Sequence, residues 1–165
     1  MNEESKLKSW EDRFFEHLPD TDDLSLMVLK GHLLIEEQLN ELISIKCISP
    51  ECLEKARLTF NQKIHILKAL YGKEIMTDSD YQLWVALESL NSIRNKLSHN
   101  LEPDNLDKKV ETFIRTFMND TKYKYTNEKK ATNTLKHILC FLSGYISSTI
   151  LHKSKASNKM LKRDY

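Results

Sequence analysis

From Leu24 to Ile45 apolar residues recur on a three-to-four spacing: Leu24, Met27, Val28, Leu34, Ile35, Leu39, Leu42 and Ile45. That spacing gathers them on one side of an α-helix but scatters them over both faces of a strand. A helix over about Asp23 to Lys46 carries this stripe along its whole length, so other elements must supply surfaces that cover it. Gly31 lies inside the stripe, where the missing side chain permits a second helix to come close.

The remainder of the chain reads the same way. Three glycines and three prolines in 165 residues leave few tight turns. An all-β design needs many, so the shortage favours a few long helices. Leu7, Trp10, Phe14 and Leu18 predict a first helix over about Lys6 to His17, stopped at Pro19. A short helix over about Pro50 to Leu58 follows Ser49, and another spans about Gln62 to Tyr71 before Gly72. Thr77, as a capping residue, opens a helix from about Asp78 to Asn100. The last two helices cover about Asn105–Asn119 and Asn127–Leu151. Residues 122–126 alternate like a strand but are too short to build a sheet and read as a loop. The expected architecture is all-α, an antiparallel bundle of about six helices. It forms one domain over residues 1–152, with a basic flexible tail at 153–165. That tail carries Lys153, Lys155, Lys159, Lys162 and Arg163.

Composition limits the function classes. With 40% hydrophobic and 30% charged residues the chain suits a soluble globular protein. A net charge of +1 exerts no global pull on nucleic acid or membrane, so any RNA contact must come from a local patch. Cys47, Cys52 and Cys140 form no Cys-x-x-Cys pair; reduced thiols and a cytoplasmic location are expected. The most apolar stretch, Ile138–Leu151, is shorter than the roughly 20 residues that a bilayer requires, and no membrane association is expected. No glycine-rich phosphate loop is present, and no cofactor is expected. His32 and Glu36 stand four apart on one helical face, but without a third ligand they do not make a metal site.

The stretch Ser92-Ile-Arg-Asn-Lys-Leu-Ser-His99 concentrates the polar chemistry. Leu83, Leu87, Leu90, Leu97 and Leu101 mark an apolar seam, and Arg94 fills its one gap. A cation on a seam is costly unless it is paired or faces a pocket or another subunit. Glu36, set within an apolar row of the second helix, is the predicted partner of Arg94. Arg94 and His99 are five residues apart, about 140° around a straight helix, so they do not share a face. They can act on one ligand only where the helix end loosens, or across a two-fold axis that brings a second copy close.

This stretch resembles the signature of the HEPN superfamily, helical cytoplasmic domains that include toxin and phage-defence ribonucleases. Arg94, Asn95 and His99 match its arginine–asparagine–three residues–histidine form, and the long helix carrying Gly31-His-Leu-Leu-Ile-Glu36 is also similar to small HEPN-like proteins. The resemblance implies a metal-independent endoribonuclease site built across a homodimer. In it His99 is the general base, Arg94 stabilises the phosphate, and Asn95 orients the histidine or the phosphate. Glu36, Lys96 and Ser98 are supporting candidates. A histidine with the ordinary pKa of about 6.5 can take the proton of an RNA 2′-hydroxyl, and a guanidinium can grip two phosphate oxygens. An antitoxin or regulatory protein is the further partner implied. The tyrosine that follows the histidine in some toxin members is missing, since Asn100 and Leu101 stand there; control by modifying it is not implied. Other HEPN-like domains are non-catalytic interaction or regulatory dimerisation modules, the alternative reading of this chain.

Overall fold

The computed structural model describes residues 12–71, 78–99, 104–119, 124 and 126–161, and among these the regular structure is helical throughout. The helical stretch 12–17 is α1. It is followed by α2 (Leu24–Lys46), the single turn α3 (Glu51–Glu54), α4 (Phe60–Tyr71), α5 (Asp78–His99), α6 (Leu106–Met118) and α7 (Glu128–Leu161). The fold is thus the expected all-α bundle. Trp10, Thr77, Asn100, Leu101 and Pro103 lie outside the described residues, as does the expected first-helix start at Lys6. The loop expected at 122–126 is described only at Lys124 and Thr126, which are not helical.

The end of α7 departs from expectation. The helix was expected to stop near Leu151 but continues to Leu161, through most of the stretch read as a tail. No glycine or proline follows Gly144 to halt it. Adding residues to an existing helix is far easier than starting one, so even an aperiodic polar sequence can prolong it. No helix among the described residues is long and apolar enough to cross a membrane.

Helix α2 is the hub. Asp23 caps it, its carboxylate accepting from the amide of Leu26 at 3.0 Å. Its stripe is buried as the spacing requires, with Met27, Val28, Ile35 and Leu39 at or below 1% exposure. The matching contacts set the direction of each neighbour. Gly31 meets Leu139, and Gln38 meets Ser143 and Ser147, so α7 runs parallel to α2. His32 stacks on Phe60, Glu36 pairs with Lys63, and the Tyr71 hydroxyl donates to the Leu42 carbonyl at 2.9 Å, so α4 is also parallel to α2. Lys68 of α4 pairs with Glu88, and His32 meets Asn91, which turns α5 the other way. Antiparallel packing therefore holds for α5, while α4 and α7 share the direction of α2.

The tightest point is Gly31. A Cβ built there would lie 3.1 Å from Leu139 Cγ and closer still to both of its methyl carbons. Leu139 is fully buried and cannot move aside without disturbing the core. Overpacking costs about 1–3 kcal/mol, whereas alanine's better helix propensity returns about 0.5–1 kcal/mol. Gly31→Ala is therefore expected to lower stability by about 1 kcal/mol, and Gly31→Leu by more. Urea unfolding checks this; an alanine variant as stable as the wild type would mean that α2 and α7 are not in close contact.

Candidate functional site

The C-terminal half of α5 carries the motif. Its buried side is lined by Leu83, Trp84, Leu87, Leu90 and Ile93, with Leu97 half-buried. The gap expected between Leu90 and Leu97 is thus filled by Ile93, at 2% exposure, and not by Arg94. Arg94 sits beside the seam, half-buried. Ile93 stands three residues after Leu90 and four before Leu97, so a helix of 3.6 residues per turn brings it onto the seam.

The predicted Arg94–Glu36 pair is not formed. Glu36 instead accepts from Lys63 Nζ at 2.6 Å. Register explains the difference. With His32 opposite Asn91 and α5 antiparallel to α2, Glu36 lies one turn to one side of that contact and Arg94 nearly one turn to the other. Along the axes this separates them by about 10 Å. Arg94 Nη1 donates to the side-chain oxygen of Asn95 at 3.1 Å, and no carboxylate among the described residues pairs with it.

The other motif residues fall into two groups. Asn95 and His99 are exposed, and His99 is the last residue of α5. Ser98 is exposed too, but its hydroxyl is engaged within the helix, donating to the Arg94 carbonyl at 3.0 Å. Lys96 is half-buried. Because α5 stays helical through His99, Arg94 and His99 remain on different sides of it. A loosened helix end does not bring them together within one chain.

His32, which spacing sets on one helical face with Glu36, is drawn into a buried contact with α5. His32 is buried, stacks on Phe60 with ring centroids 4.1 Å apart, and lies 3.3 Å from Asn91 Oδ1 through Nε2. Its Nδ1 has no hydrogen-bond partner and stands 3.9 Å from Glu36 Oε2. Burial pushes the imidazole pKa below its ordinary value; Asn91 and Glu36 favour the charged form, while Arg94 and Lys63 oppose it. The arrangement suits a neutral ring donating to Asn91. The sequence offered one signal for it, a histidine on the core side of the α2 stripe between Val28 and Ile35. The geometry gives His32 and Glu36 a place in packing, with Lys63 taking the carboxylate.

A sign follows for stability. The unfolded chain binds a proton at His32 near pH 6.5, whereas the folded chain resists it. Stability contributed by this group is complete above that pH and is lost as the pH falls through and below it. Urea midpoints are expected to drop between pH 7.5 and 5.5, and to drop less in His32→Phe. An equal drop in both proteins would exclude His32 as the source.

No protein-family model matches the chain, and neither a curated protein nor a solved structure matches it significantly.

Proposed function

We propose that this chain is a cytoplasmic, metal-independent endoribonuclease of the HEPN type, active as a homodimer and serving in a toxin–antitoxin or phage-defence system. The observation that carries the reading is Arg94, which no carboxylate among the described residues neutralises, held beside Asn95 on a helix whose last described residue is the exposed His99. The guanidinium, exposed where it meets Asn95 and without a carboxylate among the described residues, can take its anion from a ligand, and a phosphodiester fits it bidentately.

In this reading His99 takes the proton of the RNA 2′-hydroxyl. The freed oxygen attacks the adjacent phosphorus, and the bond to the 5′-oxygen of the next nucleotide breaks, that oxygen taking up a proton from water. Arg94 stabilises the charge that builds on the phosphate oxygens. The products carry a 2′,3′-cyclic phosphate and a 5′-hydroxyl. Because Arg94 and His99 diverge on one helix, His99 from one copy works with Arg94 of another across a two-fold axis. Leu26, Leu29 and Leu33 support a partner on this side. They stand 38%, 37% and 54% exposed on the half of α2 that packs near the end of α5.

The same exposed row favours a second reading, a non-catalytic HEPN-like module that docks a regulatory protein. RNA cleavage and light scattering separate the two. The ribonuclease reading expects a dimer, and expects cleavage to fall about 10²- to 10⁴-fold in His99→Ala and by a similar factor in Arg94→Ala. A monomer that leaves RNA intact supports the module, and cleavage that survives both substitutions removes these residues from the chemistry.

A further inference from the structure

A cavity of about 280 Å³ lies between α5 and α6. Ser92, Lys108, Lys109 and Thr112 line it, together with the buried Ile93 and Phe113. Lys109 Nζ donates to Ser92 Oγ at 3.3 Å, which holds the ammonium at the wall shared by the two helices. Neither Lys108 nor Lys109 pairs with a carboxylate among the described residues.

The placement of these lysines is electrostatically unfavourable. They are the third and fourth residues of α6, where the positive end of the helix dipole disfavours cations. Charge is also segregated around this helix start. Asp107 faces a neighbouring cavity, with Asp22, Asp23 and Glu128, across Asn105, and forms no ion pair with either lysine. Two ammonium groups and the Ser92 hydroxyl, which accepts from Lys109 and keeps its own hydrogen, form a set of donors suited to a phosphate, while the Thr112 hydroxyl donates to the Lys108 carbonyl at 2.8 Å.

The cavity is aligned with the motif. Ser92, Asn95, Lys96 and His99 follow one another at spacings of three, one and three, which puts them on a single face of α5. Seven residues separate Ser92 from His99, about 10 Å along the axis. Resting on the ribonuclease reading above, we infer that this cavity is a subsite for a phosphate of the RNA strand that flanks the scissile one. Lys108 and Lys109 carry the charge, and Ser92 positions Lys109. The strand would run from His99 over Asn95 and Lys96 to the lysine pair.

Binding of a non-cleavable 2′-O-methyl RNA oligonucleotide to the full chain, measured across a salt series, tests this. Lys108→Ala/Lys109→Ala is expected to weaken binding about tenfold or more near 50 mM salt and to flatten the plot of log K against log salt by about 1.4, the value for two lost phosphate contacts on a single strand. Lys109→Arg should retain the slope. The control Lys129→Ala/Lys130→Ala removes the same charge from exposed positions at the start of α7 and should bind like the wild type. An unchanged slope in the α6 variant, an equal loss in the control, or no binding by the wild type overturns the subsite. Cleavage by the wild type that is abolished by His99→Ala, with an unchanged slope in the α6 variant, would leave the ribonuclease standing and remove the subsite. Binding that depends on the α6 lysines without cleavage would do the reverse.

Discussion

The contact between Gly31 and Leu139 sets the distance between α2 and α7, and the other helices are arranged around that pair. With no side chain at Gly31, a leucine from α7 presses onto the α2 backbone. Seven residues further on, the buried Gln38 amide donates to the hydroxyls of Ser143 and Ser147 at 2.8 and 2.9 Å. The glycine allows close approach, and the amide then gives the seam a polar register: a slip along α7 would leave Gln38 buried without acceptors, a state that costs roughly 1–3 kcal/mol. Packing thus fixes proximity while hydrogen bonding fixes alignment.

Once α7 covers one side of α2, another side is left for α4 and α5, and His32 is where all three meet. The imidazole stacks on Phe60 of α4 and reaches Asn91 of α5. One turn along α2, Glu36 takes Lys63 of α4. That pairing neutralises the α2 carboxylate and leaves Arg94 without it. Arg94 and the α6 lysines thus share a condition: each is a cation that the described part of the fold leaves without a carboxylate. A protein with almost no net charge can in this way still present a local positive region, because acids and bases are partitioned among different faces. The acidic wall formed by Asp22, Asp23, Asp107 and Glu128 is the other side of that partition.

Much of this was legible in the sequence, and for definite reasons. Apolar spacing located the long helices because the period of 3.6 is a property of the backbone itself. Scarcity of glycine and proline excluded a turn-rich fold. The importance of Gly31 was also readable, since a glycine inside an apolar stripe has few explanations besides close packing. Likewise, the angular separation of Arg94 and His99 needed only helix geometry, and α5 keeps it by remaining helical to its last residue.

Tertiary structure alone decided the partnerships. Glu36 and Arg94 each occupy a suitable face, but helix direction and register place them on opposite sides of the His32–Asn91 contact, and neither quantity is written in local spacing. The assignment of Ile93 rather than Arg94 to the seam depends on which side of α5 its neighbours cover. The convergence of Ser92 with Lys109 depends on how α6 returns against α5. The sequence by itself determined which elements form and which faces they bury, because those follow from periodicity and burial within one helix. Which charges meet, and which are left to seek a partner, was decided only when the helices packed, because electrostatic pairing acts over a few ångströms and depends on the register between segments far apart in the chain.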